Sequence, residues 1–224
     1  WQEWSRVWIN FYDATQKRGV GEFVNNAGYQ VLATGDYRGT RILEIGPGHL
    51  QHLRYWWDHS PALTGRAEWP APLNPPTFCI ADVQQEMLDR SASVLADAGI
   101  PCETHLLTRG ESRLPFRDNE FDHILTFYTL EHIYPLCDYL DELRRVLKGG
   151  GCLSGAIPAE GGLAWGMGRF LTSRRWLKNN TTIDPDKIIC WEHPNFAPSV
   201  LRQLDLRFIN ERREYWPLKI ELID

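Results

Sequence analysis

The chain has 224 residues, 43% hydrophobic and 24% charged, which suits one folded domain with a sizeable core. Its net charge of -5 excludes the broad basic excess with which proteins usually grip nucleic-acid phosphates, so no nucleic-acid partner is expected. No apolar run approaches the roughly 18 residues of a membrane span, and no charged leader precedes an apolar block, so neither a span nor a signal peptide is predicted. A chain that starts at Trp1 fits a piece of something longer. The five cysteines (Cys79, Cys102, Cys137, Cys152 and Cys190) are odd in number and form no C-x-x-C. They predict buried thiols in a reducing cytoplasm rather than a disulfide framework or a zinc site.

Residues 1–35 read as helical. Trp1, Trp4, Trp8 and Tyr12 recur at helical spacing, and Gly19 and Gly21 separate them from a second short helix ending near Gly35. The period then changes: Thr40–Ile45 is a short apolar strand opening into Gly46-Pro47-Gly48, and a helix is predicted over His49–His59. Five prolines (Pro61, Pro70, Pro72, Pro75 and Pro76) predict a loop over 60–76. Thr77–Ala81 is a second strand, ending at Asp82. Gln84–Ala98 is a helix with Met87, Leu88, Val94, Leu95 and Ala98 on one face, stopped by Gly99. Cys102–Leu107 and Phe121–Phe127 are the third and fourth strands. Tyr134–Lys148 is a helix with Leu136, Leu140, Leu143 and Leu147 as its buried stripe, acids early and bases late, ended by Gly149-Gly150-Gly151. Cys152–Ile157 is a fifth strand. A Gly-rich, basic segment follows over 160–180, then a helix over Ala197–Leu206. Two strands, Arg207–Trp216 and Leu218–Ile223, are expected to pair as an antiparallel hairpin.

Strands alternating with helices predict an α/β fold: a doubly wound, mostly parallel sheet of seven strands with a helical N-terminal cap. The chain divides into a cap (1–39), a core (40–158), an acceptor-side cap (159–206) and the closing hairpin (207–224). In such sheets ligands bind beyond the carboxyl ends of the strands, where strand order reverses. That singles out the loops at 46–49, 82–84, 108–114, 127–133 and 157–165.

Gly46 and Gly48 let a ligand approach the backbone, and the helix after them offers free N–H groups. An ordinary tight turn explains the same glycines. Glu44, near the strand end, can accept hydrogen bonds from an ammonium or a hydroxyl. Asp82 stands at the end of the next strand, where an acid can bind both hydroxyls of a ribose; it can also cap the helix that follows. Together they point to an adenosine-containing ligand. A dinucleotide fits less well, because position 51 is Gln rather than the third glycine of G-x-G-x-x-G and Asp82 lies well beyond the roughly 20-residue spacing of that fingerprint.

Leu114-Pro115-Phe116, Phe121-Asp122, Leu130-Glu131-His132 and Arg145-Val146-Leu147-Lys148-Gly149-Gly150-Gly151 follow in order. With the Glu44–Gly48 turn and Asp82, this set resembles the ubiquinone/small-molecule branch of the class I methyltransferases over residues 40–158. The resemblance implies a Rossmann-like fold and S-adenosylmethionine as cofactor, with S-adenosylhomocysteine as product and no metal. It implies the methionine end over Gly46, Pro47 and Gly48, Glu44 near the amino group through water, Asp82 on the ribose with Val83 beside it, and Phe127 and Tyr128 lining the transfer site. Two positions depart from the pattern. Leu50 stands where a third glycine is frequent, and Gly110 stands where an acid often contacts the adenine amine. Glu111 beside it reads equally as that contact or as an exposed loop charge.

Methyl transfer needs a placed acceptor and removal of its proton. His132 and His193 are the candidate bases, since histidine titrates near neutral pH; a structural role is the competing reading for His132. Asn195 reads as a helix cap, with Pro198 in the first turn. Asn74-Pro75-Pro76 is similar to the N-P-P-Y motif of adenine methyltransferases, but it precedes the second strand and lacks the aromatic, so it reads as a loop. Trp165, Phe170, Trp176 and Trp191 suit a sugar or flat-ring acceptor. Arg169, Arg174 and Arg175, with Lys178, suit an anionic one or a solvated helix face. The expected function is methyl transfer, at oxygen, to a small-molecule or sugar-linked acceptor in surface-polysaccharide or natural-product biosynthesis. The alternative is a cofactor-binding regulatory or scaffold domain without catalysis.

Overall fold

The structure, a computed structural model, describes residues 26, 28, 29, 37–55, 74–159, 170, 173–182 and 184–215. Five strands are present among them: β1 (Arg41–Ile45), β2 (Thr77–Asp82), β3 (Cys102–Leu106), β4 (Phe121–Phe127) and β5 (Leu147–Ala156). They form one parallel sheet in the order β3-β2-β1-β4-β5. The chain leaves β1 toward β2 and β3, then returns to β1's other side as β4. Strand order therefore reverses between β1 and β4, and the crevice opens beyond Ile45 and Phe127.

β1, β2 and β4 are buried on both faces, as their near-continuous apolar runs require. Side chains alternate between two cores. Leu43, Ile45, Cys79, Ala81 and Ile124 meet the helix α2 (Leu136–Val146) through Leu136, Tyr139, Leu140, Leu143 and Val146. Each such side chain contributes about 1.5–3 kcal/mol when fully buried. Ile42, Phe78, Ile80, Leu125 and Phe127 meet Leu88 and Leu95 of α1 (Gln85–Asp97), with Leu50 and Leu53. Among the described residues three further helices follow β5: α3 (Ser173–Asn180), α4 (Pro185–Glu192) and α5 (Ala197–Asp205).

Several sequence expectations are corrected. The triple glycine does not end a helix: α2 stops at Val146, and Gly149–Gly151 lie inside β5. Pairing jumps from Phe121 opposite Leu147 to His123 opposite Cys152, so the extra residues bulge out, and Gly150 takes φ +79° to allow it. The helix expected over 49–59 is a short 3-10 turn over Gln51–Tyr55, and 56–59 fall outside the described residues. α3 carries Arg174, Arg175 and Lys178, as their helix-face reading has it, whereas α4 was not expected as a helix. Residues 209–215 carry no regular structure where the first hairpin strand was expected; 216–224, and most of 1–35, fall outside the described residues. Five strands, all parallel, are found among the described residues; the second hairpin strand of the expected seven lies outside them. Of the four cysteines with described side chains, Cys79 in β2 is buried. Cys102 and Cys152 are half-buried on the two edge strands, and Cys137 is exposed on the outer face of α2. No described helix is long and apolar enough to cross a membrane.

Candidate functional site

The turn after β1 is built from left-handed residues. Gly46 has φ +64°, and its N–H donates to Ala81 O at 2.9 Å, extending the β1–β2 ladder. A Cβ on Gly46 would sit 2.5 Å from Thr129 Oγ1. That hydroxyl lies 3.0 Å from Phe127 O and 3.3 Å from Ile45 O, so it ties the ends of β4 and β1 together across the point of reversal. Gly48 has φ +55°, and a Cβ there would meet nothing within 4 Å. Its backbone faces open space, as close approach of a ligand requires. Its carbonyl accepts from the buried Ser91 Oγ at 2.9 Å, which anchors the turn to α1. Leu50 supplies the third left-handed residue with φ +51°, and its side chain is buried among Leu53 and Phe127. The family's glycine is absent here, but the backbone conformation it serves is kept.

Glu44, 1% exposed, lies on the same face as Ile42. Its Oε2 is 3.4 Å from Nε2 of the equally buried His52, without hydrogen-bond alignment. Burial pushes the Glu44 carboxyl up, and His52 opposes that shift. The His52 ring stacks on Phe127 with centroids 4.9 Å apart and planes at 19°. Tyr29 packs edge-on against Phe127 and Tyr128. His52 and Ser91 escaped the sequence reading, because each stands among other polar residues of its segment and carries no motif spacing. Tyr128 has φ +53°, rare for a bulky residue and frequent at functional sites.

Asp82 Oδ1 accepts the Gln84 N–H at 2.8 Å, so the acid does prepare the start of α1. Burial raises its pKa, while the Gln84 and Val83 amides and the Arg109 charge lower it. Val83 is exposed beside it. Glu111 is exposed in the loop after β3, and its N–H donates to Thr108 O at 3.2 Å.

His132 lies in a 3-10 turn over Leu130–His132, beyond β4. Its Nδ1 is 2.7 Å from Glu192 O. A carbonyl only accepts, so Nδ1 carries the proton and Nε2 of the neutral ring keeps its lone pair. The His193 ring meets it edge-on, with centroids 4.4 Å apart, and Glu131 Oε1 is 3.9 Å from His132 Nε2. The structure thus brings both candidate histidines to one place, with a buried carboxylate beside them. Burial first, then the neighbouring His193 and Arg109, hold the His132 pKa down at about 4, against the Glu192 hydrogen bond. Part of the ring is open to water, which moderates these effects.

Asn195 does not cap α5. Phe196 is the N-cap, with no side-chain bond, and the Asn195 amide reaches the 130–133 turn instead. Arg174 is paired with Asp186 at 2.7 Å and lies over the Phe170 ring, and Arg175 is exposed; Trp165, Arg169 and the Trp191 side chain fall outside the described residues. Asn74 bonds the Gly39 amide at the amino ends of β1 and β2, far from the crevice, as its loop reading requires.

A glycine turn at the point of strand reversal, an acid ending β2 and a histidine after β4 therefore lie at the carboxyl edge of one parallel sheet. The methyltransferase domain family matches residues 43–154, half of the chain, and the chain belongs to that family. It is similar to the ubiquinone/menaquinone biosynthesis C-methyltransferase UbiE of Pseudomonas fluorescens, with 27% identity over 125 residues, 56% of this chain and 44% of that protein. The UbiE of Azotobacter vinelandii is 28% identical over 129 residues, 56% of this chain and 45% of that one. The chain therefore spans less than half the length of these relatives. The PH0226 protein of Pyrococcus horikoshii shares the fold, with TM-score 0.57 and 15% identity over 92% of this chain and 93% of that one.

Proposed function

We propose that the chain moves a methyl group from S-adenosylmethionine to an oxygen of a small-molecule or sugar-linked acceptor, in surface-polysaccharide or natural-product biosynthesis. The observation that carries this reading is the Nδ1–H bond of His132 to Glu192 O, which leaves Nε2 as a proton acceptor beyond β4. The site fits the cofactor. Gly48 is open, Glu44 Oε2 is buried with no aligned hydrogen bond, and the Asp82 carboxylate stands at the end of β2.

In this reading the methionine end lies over Gly46, Pro47 and Gly48, and Glu44 holds the amino group through water. Asp82 takes the ribose with Val83 alongside, Glu111 reaches the adenine amine, and Phe127 and Tyr128 line the transfer site. The bound cofactor supplies the methyl group as a sulfonium electrophile. His132 Nε2 takes the acceptor's proton, and His193 and Glu131 shape the pocket around it. The Arg174–Asp186 pair weakens the case for an anionic acceptor held by Arg174. A reducing cytoplasmic setting agrees with the free Cys79, Cys102, Cys137 and Cys152. Transfer to carbon is the second reading, favoured by the names of the UbiE relatives; His132 would then take a C–H proton.

Calorimetry with S-adenosylmethionine, followed by turnover of methyl-labelled cofactor with acceptor pools, tests the proposal. NMR of the product separates an O-methyl from a C-methyl group. No cofactor binding would overturn the reading, and binding without turnover in any pool would favour the non-catalytic alternative.

A further inference from the structure

Asn195 joins two pieces of chain that lie far apart in sequence. One is the turn Leu130–His132 after β4, and the other is the loop between α4 and α5 that carries His193. The Asn195 side-chain amide donates to Ile133 O at 2.6 Å and to Leu130 O at 3.1 Å, with Glu131 O further away at 3.5 Å. Its backbone N–H donates to Glu131 O at 3.3 Å. These carbonyls stand at the end of a one-turn helix, where acceptors need donors from outside. A side-chain amide has two N–H groups, and both are spent on this turn. Three residues before Asn195 is Glu192, whose carbonyl fixes the proton on His132 Nδ1; two residues before it is His193, packed against the His132 ring. The charged and titratable groups that face His132 among the described residues are Glu131 on its own turn, Arg109 from the loop after β3, and His193 beyond α4.

We infer that Asn195 is a positioning residue for methyl transfer: it clamps the turn bearing His132 to the loop bearing His193, and so keeps His132 Nε2 directed at the acceptor. This rests on the reading of His132 as the proton acceptor. Without the clamp the Glu192 carbonyl and the His132 ring can separate, water reaches the ring, and both its tautomer and its direction are lost. The hydrogen bonds of Asn195 go to the 130–133 turn and not to Gly46–Gly48, so the cofactor should bind as before.

The test uses Asn195→Ala and Asn195→Ser in the full chain, with His132→Ala as reference. The Asn195 variants are expected to lose about 10- to 100-fold in kcat, as a misplaced catalytic group does, with the S-adenosylmethionine dissociation constant unchanged. The acid limb of their pH–rate profile should move up toward the ordinary histidine value of about 6.5, a shift that loss of stability alone does not produce. An unchanged kcat and acid limb, with His132→Ala inactive, would overturn the inference and leave the base reading standing. A His132→Ala kcat equal to wild type overturns both. Wild-type activity abolished by a chelator would assign the Glu131, His132 and His193 cluster to a metal and overturn the inference. If the variants do not fold, hydrogen exchange of the wild-type Asn195 side-chain amide decides: slow exchange is expected, and free exchange overturns the clamp.

Discussion

Thr129 occupies the space that a Cβ on Gly46 would need, with Oγ1 at 2.5 Å and Cγ2 at 2.8 Å from that point. Gly48, two residues on, has the same left-handed backbone and open space around it. Alanine at either position carries about 1–2 kcal/mol of left-handed strain. At Gly46 it also displaces Thr129 and breaks its bonds to Ile45 O and Phe127 O, adding about 1 kcal/mol. Gly46→Ala should therefore lower Tm more than Gly48→Ala, while Gly48→Ala should weaken S-adenosylmethionine binding at least tenfold by filling the approach to the turn. Thermal melts and calorimetry check both, and equal Tm losses would contradict the role given to Thr129.

Glu44→Gln should gain stability and lose cofactor affinity. Burial raises the Glu44 carboxyl above its unfolded value, so below both values the group makes no difference. As pH rises above the unfolded value of about 4.3, the unfolded chain ionises first and the folded protein loses stability relative to it. The glutamine has no such loss. The Tm of the variant should match wild type in acid and exceed it increasingly as pH rises, without cofactor. A Tm gap that shrinks on raising pH would show that His52 more than compensates the burial of Glu44.

For His132 the sign is opposite. Its pKa is held down at about 4, chiefly by burial, so the folded state resists protonation, and stability is lost as pH falls below the ordinary value of about 6.5. With the neutral ring as the proposed base, kcat should stay level from neutral pH to about 5 and fall only near 4. His132→Ala should lower kcat by about 10²- to 10⁴-fold with cofactor affinity unchanged. A wild-type rate that halves near pH 6.5 would mean the ring is not held down as its surroundings require.

The parts of this site legible in sequence are those that chemistry writes as spacing. The glycine turn follows an apolar strand, Asp82 ends the next, and Leu130-Glu131-His132 follows the fourth, so their meeting at the sheet's carboxyl edge is a consequence of parallel topology. What was not legible depends on contacts across the chain. Ser91 reaches Gly48 O over 43 positions, and His132 meets Glu192 O over 60. Asn195 precedes a helix and so reads as a cap, but its amide is drawn to the carbonyls of a turn 62 positions earlier. The triple glycine reads as a helix stop, yet α2 runs straight into β5, because pairing with β4 resumes at once through Leu147.

Leu50 gives the last prediction, where backbone and core oppose one another. Its φ of +51° is a left-handed conformation that favours glycine, and relieving it would recover about 1–2 kcal/mol. The side chain, however, is 2% exposed in the core with Ile42, Leu53 and Phe127. Truncating such a leucine to alanine typically removes about 2–5 kcal/mol, since the surrounding core relaxes only partly. Packing therefore outweighs strain, and Leu50→Gly, although it restores the family pattern, should destabilise the protein by about 2 kcal/mol. Because the ligand-facing opening lies at Gly48 rather than Leu50, S-adenosylmethionine should bind the folded variant as it binds wild type. Denaturant titration and calorimetry separate these effects. A more stable Leu50→Gly would show that the turn is strained beyond what its core contacts return.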